Sequence, residues 1–165
     1  GGAALAMSLY FGQEKSGDDI PKKIIISNRS LPRLESAKKI LEGLHPAIEF
    51  EYLHTPSPED NDRILASLKP HSLIVNATGL GKDAPGSPLT ERCSFPKDSL
   101  VWELNYRGEL VFMEQAKAQE KEKNLYIEDG WIYFIHGWTQ VVAEVFHIDN
   151  IAEKVLMLSE VAKNA

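Results

Sequence analysis

Lys23-Ile24-Ile25-Ile26-Ser27-Asn28-Arg29-Ser30, with Arg33 close behind, is the stretch whose reading decides the fold. Three consecutive β-branched isoleucines predict a buried parallel strand. The strand stops on Asn-Arg-Ser, and a helical period follows in Leu34, Ala37, Ile40, Leu41 and Leu44. In an open α/β sheet, ligands are met at the carboxyl ends of the strands. Asn28, Arg29, Ser30 and Arg33 stand at such an end. Two guanidiniums beside a hydroxyl and an amide suit a phosphate monoester, because each guanidinium presents a planar fork of donors. Taken alone, the same residues also read as a solvated turn with two surface arginines.

The pattern repeats outward from this stretch. Before it, Gly1-Gly2-Ala3 reads as the tail of a glycine-rich phosphate loop running into a helix over about 3–10. On that reading, the first strand of the sheet lies ahead of Gly1. Lys15 to Asp19 is a turn cluster. After the isoleucine strand come an alternating strand at Ile48, Phe50 and Tyr52, and a helix over 60–68 with Ile64, Leu65 and Leu68 inward. A buried strand at 73–75 then ends on Asn76-Ala77-Thr78-Gly79-Leu80-Gly81, small side chains that leave room for a flat ligand. A rigid polar loop, Pro85-Gly86-Ser87-Pro88-Leu89, follows. The strand at 100–104 ends on Asn105-Tyr106-Arg107-Gly108, and one helix is expected over 110–122. A short strand at 125–127 turns at Asp129-Gly130, and a last helix over 150–162 carries Ile151, Val155, Leu156, Leu158 and Val161 as its apolar stripe.

Strands and helices alternate throughout, so the expected class is α/β: a Rossmann-like, doubly wound, mostly parallel sheet with helices on both faces, forming one domain over 1–165. A net charge of −6, from 18 basic and 24 acidic residues, argues against non-specific nucleic-acid binding. Cys93 is the only cysteine, which excludes an intrachain disulfide, fits a reducing, cytoplasmic setting, and reads as a bystander thiol. No apolar run approaches the roughly 18 residues of a membrane span, and no metal-ligand set is assigned. In a dinucleotide fold, the tip of the second strand reads the adenosine ribose: an acid there selects NAD, whereas an arginine accommodates the 2′-phosphate of NADP. No acid stands at the tip formed by Asn28-Arg29-Ser30.

In order and spacing, these motifs resemble the cofactor domain of the shikimate dehydrogenase family, including the quinate/shikimate dehydrogenases. Gly1-Gly2-Ala3 is similar to the end of that family's Gly-Ala-Gly-Gly-Ala loop, and Asn28-Arg29-Ser30 with Arg33 to its Asn-Arg-Thr-x-x-Arg clamp on the NADP 2′-phosphate. Asn76-Ala77-Thr78, then Gly81 and Ser87-Pro88-Leu89, resembles its Asn-Ala-Thr-x-x-Gly loop and the Ser-Pro after it. The resemblance covers nearly the whole chain. It implies that Gly1, Gly2, Ala3, Asn28, Arg29, Ser30, Arg33, Asn76, Ala77, Thr78, Leu104 and Gly130 bind NADP. Tyr106, with Gln140 or His136, would contact the substrate. The chain departs from the family pattern at Glu103 (usually Asp), at Lys82 (usually Met), and at Arg107-Gly108, near which an Asn-Pro is usual.

The implied activity is reversible reduction of 3-dehydroshikimate to shikimate, in aromatic amino acid biosynthesis. The family's catalytic Lys and Asp belong to a separate N-terminal substrate domain, so no catalytic acid or base is assigned in this chain. Expected partners are the small-molecule substrate and that N-terminal domain of the same polypeptide, with room for a homodimer and with no nucleic acid or membrane. Two alternatives stay open: a quinate-type dehydrogenase acting on another cyclic hydroxy acid, and a non-catalytic dinucleotide-binding module.

Overall fold

A computed structural model describes residues 1–13, 20–44, 47–149 and 154–163. The turn expected at Lys15–Asp19 and the start of the last helix, with Ile151, lie outside the described residues. The architecture is α/β with parallel sheets, compatible with a Rossmann-like fold. The chain forms two compact units, residues 1–68 with 88–94 and residues 69–87 with 95–165.

The first unit runs α1 (Gly2–Phe11), β1 (Lys23–Asn28), α2 (Leu31–Leu41), β2 (Glu49–His54) and α3 (Pro58–Ser67). β1 and β2 pair in parallel, in register from Lys23 opposite Glu49 to Asn28 opposite His54. Lys23 Nζ reaches Glu49 at 2.9 Å and Glu51 at 2.7 Å across the pair. Leu34, Ala37 and Leu41 give α2 its buried face, while Ile40, expected on the same face, is 50% exposed. The isoleucines of β1 are half-buried rather than buried. A continuous apolar strand needs neighbours on both edges, and among the described residues β1 has only β2 beside it. Ser57 and Asp60 form a capping box at the start of α3: the Asp60 carboxylate accepts the Ser57 N–H at 2.9 Å and its hydroxyl at 3.0 Å. Leu65 is buried behind that cap.

The second unit runs β3 (Leu73–Asn76), β4 (Leu100–Glu103), α4 (Val111–Lys117), α5 (Glu120–Lys123), β5 (Tyr126–Glu128), α6 (Trp131–Phe146) and α7 (Val155–Lys163). Its strands form a parallel sheet in the order β3-β4-β5. Leu73, Leu100 and Tyr126 are paired across the sheet at its amino end, and all three are exposed. Val101, Phe95, Phe112 and Ala116 are buried in this unit, and the two phenylalanine rings meet edge-on at 5.8 Å.

The single helix expected over 110–122 is two helices, α4 and α5. Gln119 explains the break. Its backbone N–H bonds the Ala116 carbonyl, three residues back, while its side-chain amide takes the Gln115 carbonyl that a continuing α-helix would use. Its Oε1 accepts the Phe95 N–H at 3.1 Å. In α7, the expected stripe is only partly inward: Val155 and Ser159 are buried, whereas Leu156 and Val161 are exposed. The reason is a hydrogen bond from Trp131 Nε1 to Ser159 Oγ at 2.9 Å, which turns the serine face toward α6. No helix among the described residues is long and apolar enough to cross a membrane.

Candidate functional site

The first unit holds one group of expected residues. β1 ends at Asn28, whose Oδ1 accepts the Ser30 N–H at 2.9 Å, closing a side-chain turn. The Asn28 carbonyl accepts the Thr55 N–H at 3.0 Å, and the Arg29 carbonyl accepts His54 Nε2–H at 3.1 Å. The backbone of this tip is therefore tied to the end of β2, leaving the Arg29 and Arg33 side chains to solvent. Ser30 is the N-cap of α2 without a side-chain cap bond. Arg29 and Arg33 are exposed, and neither makes an ion pair among the described residues. A Cβ on Gly1 or Gly2 would meet nothing within 4 Å, so packing does not demand glycine there.

The second unit brings together Asn76, Thr78, Leu104 and Gly130. Asn76, at the end of β3, is 2% exposed. Its Oδ1 accepts the Thr78 N–H at 3.0 Å and the Thr78 hydroxyl at 2.7 Å, which shapes the Asn76-Ala77-Thr78 loop. Its Nδ2 donates to Glu103 Oε2 at 2.7 Å. Glu103 Oε1 accepts both the backbone N–H and the side-chain Nδ2–H of Asn105, at 2.9 and 2.8 Å. Asn105 Nδ2 also donates to the Leu80 carbonyl at 3.1 Å. Glu103, fully buried in the last position of β4, thereby joins the carboxyl ends of two strands. Burial raises its carboxyl pKa, and the N–H donors from Asn105 and Asn76 offset part of that rise.

Gly130 sits at the N-cap of α6. Its N–H donates to the Asn105 carbonyl at 3.1 Å. A Cβ there would lie 2.1 Å from the Leu104 oxygen and 2.4 Å from its carbonyl carbon, so only glycine fits. Asp129 secures this turn from both sides, accepting Trp131 N–H on its side chain and Trp102 Nε1–H on its carbonyl.

Tyr106 is half-buried, stacked on Phe134 at 3.9 Å and 20°. His136 and Gln140 are exposed on α6, one turn apart, and Gln140 Nε2 donates to Glu144 at 3.2 Å. Cys93 is buried. A groove of about 440 Å³ on this unit is lined by Met113, Lys117, Asp129, Trp131 and Lys163 among others, and none of the expected site residues lines it. The described residues contain no cluster of His, Cys, Asp and Glu suited to a metal.

Glu103 and Asn105 are not among the site residues that the motifs imply. The available signal was an acid between Trp102 and Leu104 in an apolar strand, where a charge is costly without partners.

The chain is similar to a shikimate dehydrogenase (NADP(+)) of Streptococcus thermophilus, with 32% identity over 89 residues. The matched stretch covers 53% of this chain and 30% of that relative. No family model matches the chain, and no solved structure matches it.

Proposed function

We propose that the chain is the NADP-binding part of a shikimate dehydrogenase-like oxidoreductase, with residues 1–165 contributing one doubly wound cofactor domain. The observation that carries this reading is the packing at the carboxyl ends of β3 and β4. There Asn76 ties the Thr78 loop to the end of β3, and the obligate glycine at 130 packs on the Leu104 carbonyl, so these residues are held together at the strand ends where an open α/β sheet meets its ligand. The partial similarity to an NADP(+)-dependent relative supports it independently.

On this reading the nicotinamide supplies or accepts the hydride. Asn76, Ala77, Thr78, Leu104 and Gly130 hold its ring. Gly1, Gly2 and Ala3 offer backbone to the pyrophosphate. Asn28, Arg29, Ser30 and Arg33 take the 2′-phosphate; both guanidiniums are exposed, and the Ser30 hydroxyl makes no cap bond. Tyr106, with Gln140 or His136, orients the hydroxy acid. Proton transfer and the rest of the substrate grip belong to another part of the polypeptide, an N-terminal substrate domain, in a cytoplasmic enzyme that forms no complex with nucleic acid. A homodimer fits this reading as well.

The test is NADPH oxidation by the full-length polypeptide with 3-dehydroshikimate. NADPH should be consumed far faster than NADH, and nucleotide binding without any turnover would leave a non-catalytic module. A quinate-type substrate is the second reading. It is favoured by Lys82 and Arg107, which flank Tyr106 where the resembling family carries other residues. Comparing oxidation of shikimate and quinate separates the two.

A further inference from the structure

We propose that Lys82 and Arg107, held against the ring of Tyr106, form a cationic platform that binds the carboxylate of a ring-shaped acid. This rests on the reading of the second unit as part of a hydroxy-acid site. Lys82 Nζ lies 5.9 Å and Arg107 Cζ 5.7 Å from the centroid of the Tyr106 ring, both within cation–π range. Phe134 stacks on that ring at 3.9 Å and holds its plane.

The backbone brings the two cations together. Gly81 and Gly108 both have positive φ, +89° and +97°. A Cβ on Gly108 would sit 2.1 Å from the Gly81 oxygen and 3.0 Å from Lys82 Cα. The Leu110 N–H donates to the same Gly81 oxygen at 3.4 Å, and Asn105 Nδ2–H donates to the Leu80 carbonyl at 3.1 Å. The loop after β3 and the loop after β4 are thus pressed backbone to backbone, and the residue beside each touching glycine is a cation.

The charges do not balance locally. Lys82, with 24% of its side chain exposed, pairs with Asp83 at 3.2 Å. Arg107 is exposed and makes no ion pair or hydrogen bond among the described residues. Two cations face one partnered carboxylate, leaving one positive charge beside an aromatic face. An acid with a single carboxylate matches that charge, its carboxylate meeting the guanidinium and ammonium donors, and the cyclic acid is the one the proposed reading supplies.

The experiment titrates the full-length polypeptide, in the presence of NADP⁺, with shikimate and with its neutral methyl ester. The readout is tryptophan fluorescence, since Trp131 lies 6.5 Å from Tyr106 and Trp138 lies 6.2 Å from Phe134. The acid should bind about tenfold tighter than the ester, the worth of a charge-assisted contact. Lys82→Met and Arg107→Gln should each cut that preference to about threefold or less. The charge-keeping Lys82→Arg and Arg107→Lys should retain it, and NADP⁺ affinity should stay level in all four variants. Equal binding of acid and ester by the wild type would overturn the platform. So would survival of the preference in both neutral variants, its loss in the charge-keeping ones, or a matching loss of NADP⁺ affinity, which would make the anion the cofactor's phosphate. Turnover is scored separately: acid selectivity without reduction of 3-dehydroshikimate keeps the platform and refutes the dehydrogenase, and turnover without selectivity does the reverse.

Discussion

Glu103 is the residue on which the second unit's site depends. Its carboxyl accepts from Asn76 Nδ2, Asn105 N and Asn105 Nδ2, all pure donors, in a setting with no solvent exposure. Glu103→Ala removes every one of those acceptors at once. Each buried donor left unmade costs about 1–3 kcal/mol, so the denaturant midpoint should drop by the equivalent of at least about 3 kcal/mol. The same group also makes stability depend on pH. Its folded pKa is raised, burial being the main cause. Between the ordinary carboxylate value and the folded one, the native state keeps a proton that the unfolded chain has released. Glu103's contribution is therefore full below the unfolded pKa and falls as pH rises through that window. Denaturant midpoints measured from acid to neutral pH should show the wild type losing ground to Glu103→Gln as pH rises; parallel curves would exclude this. At the tip of β1, Arg29→Asp should weaken NADP⁺ binding by about 1.5–3 kcal/mol for each charged hydrogen bond lost, and leave NAD⁺ affinity equal or better. Calorimetric titration of both nucleotides decides it.

At the scale of elements, two glycines of the same neighbourhood behave oppositely. Gly130 is pressed on the Leu104 carbonyl, so the turn into α6 cannot accept a side chain. Gly137 lies inside α6, and a Cβ there would meet nothing within 4 Å. Gly137→Ala should therefore stabilise the protein by about 0.5–1 kcal/mol through helix propensity alone, whereas Gly130→Ala should lower the melting temperature. A helix that gains nothing from the Gly137 change would mean that α6 is not helical there in solution. The division of α4 from α5 follows from one glutamine side chain taking a backbone carbonyl. Residues 110–122 carry no proline or glycine, so propensity alone predicts continuity.

At the scale of the molecule, the strands among the described residues are split between a pair and a triplet. A two-stranded sheet is weakly cooperative, and three strands with an apolar face do better. The half-buried isoleucines of β1 and the buried Val101 of β4 show the same difference in cover. Hydrogen exchange should then be faster for the β1 and β2 amides than for those of β4, which is paired on both edges. Equal protection in the two sheets would contradict this. The acidic balance of the whole chain coexists with a locally cationic patch around Tyr106, so net charge describes solubility here and not the site.

The α/β class and the strand positions follow from local sequence, because β-branched runs and helical apolar periods are short-range signals, and their alternation along the chain predicts the parallel pairing. The tips of the strands were legible for the same reason: a strand must stop, and Asn28-Arg29-Ser30, Asn76-Ala77-Thr78 and Asn105-Tyr106 are where these stop. What cover β1 has, where α4 ends, and which face α7 buries were decided by tertiary contacts, through a strand that has only β2 beside it among the described residues, a glutamine side chain and a Trp131–Ser159 bond. The Glu103 network and the Lys82–Tyr106–Arg107 cluster belong to the same class. Lys82 and Arg107 stand far apart in the chain, and nothing local to either announces the other. Only the close approach of Gly81 and Gly108, which no side chain could permit, places both charges on one ring.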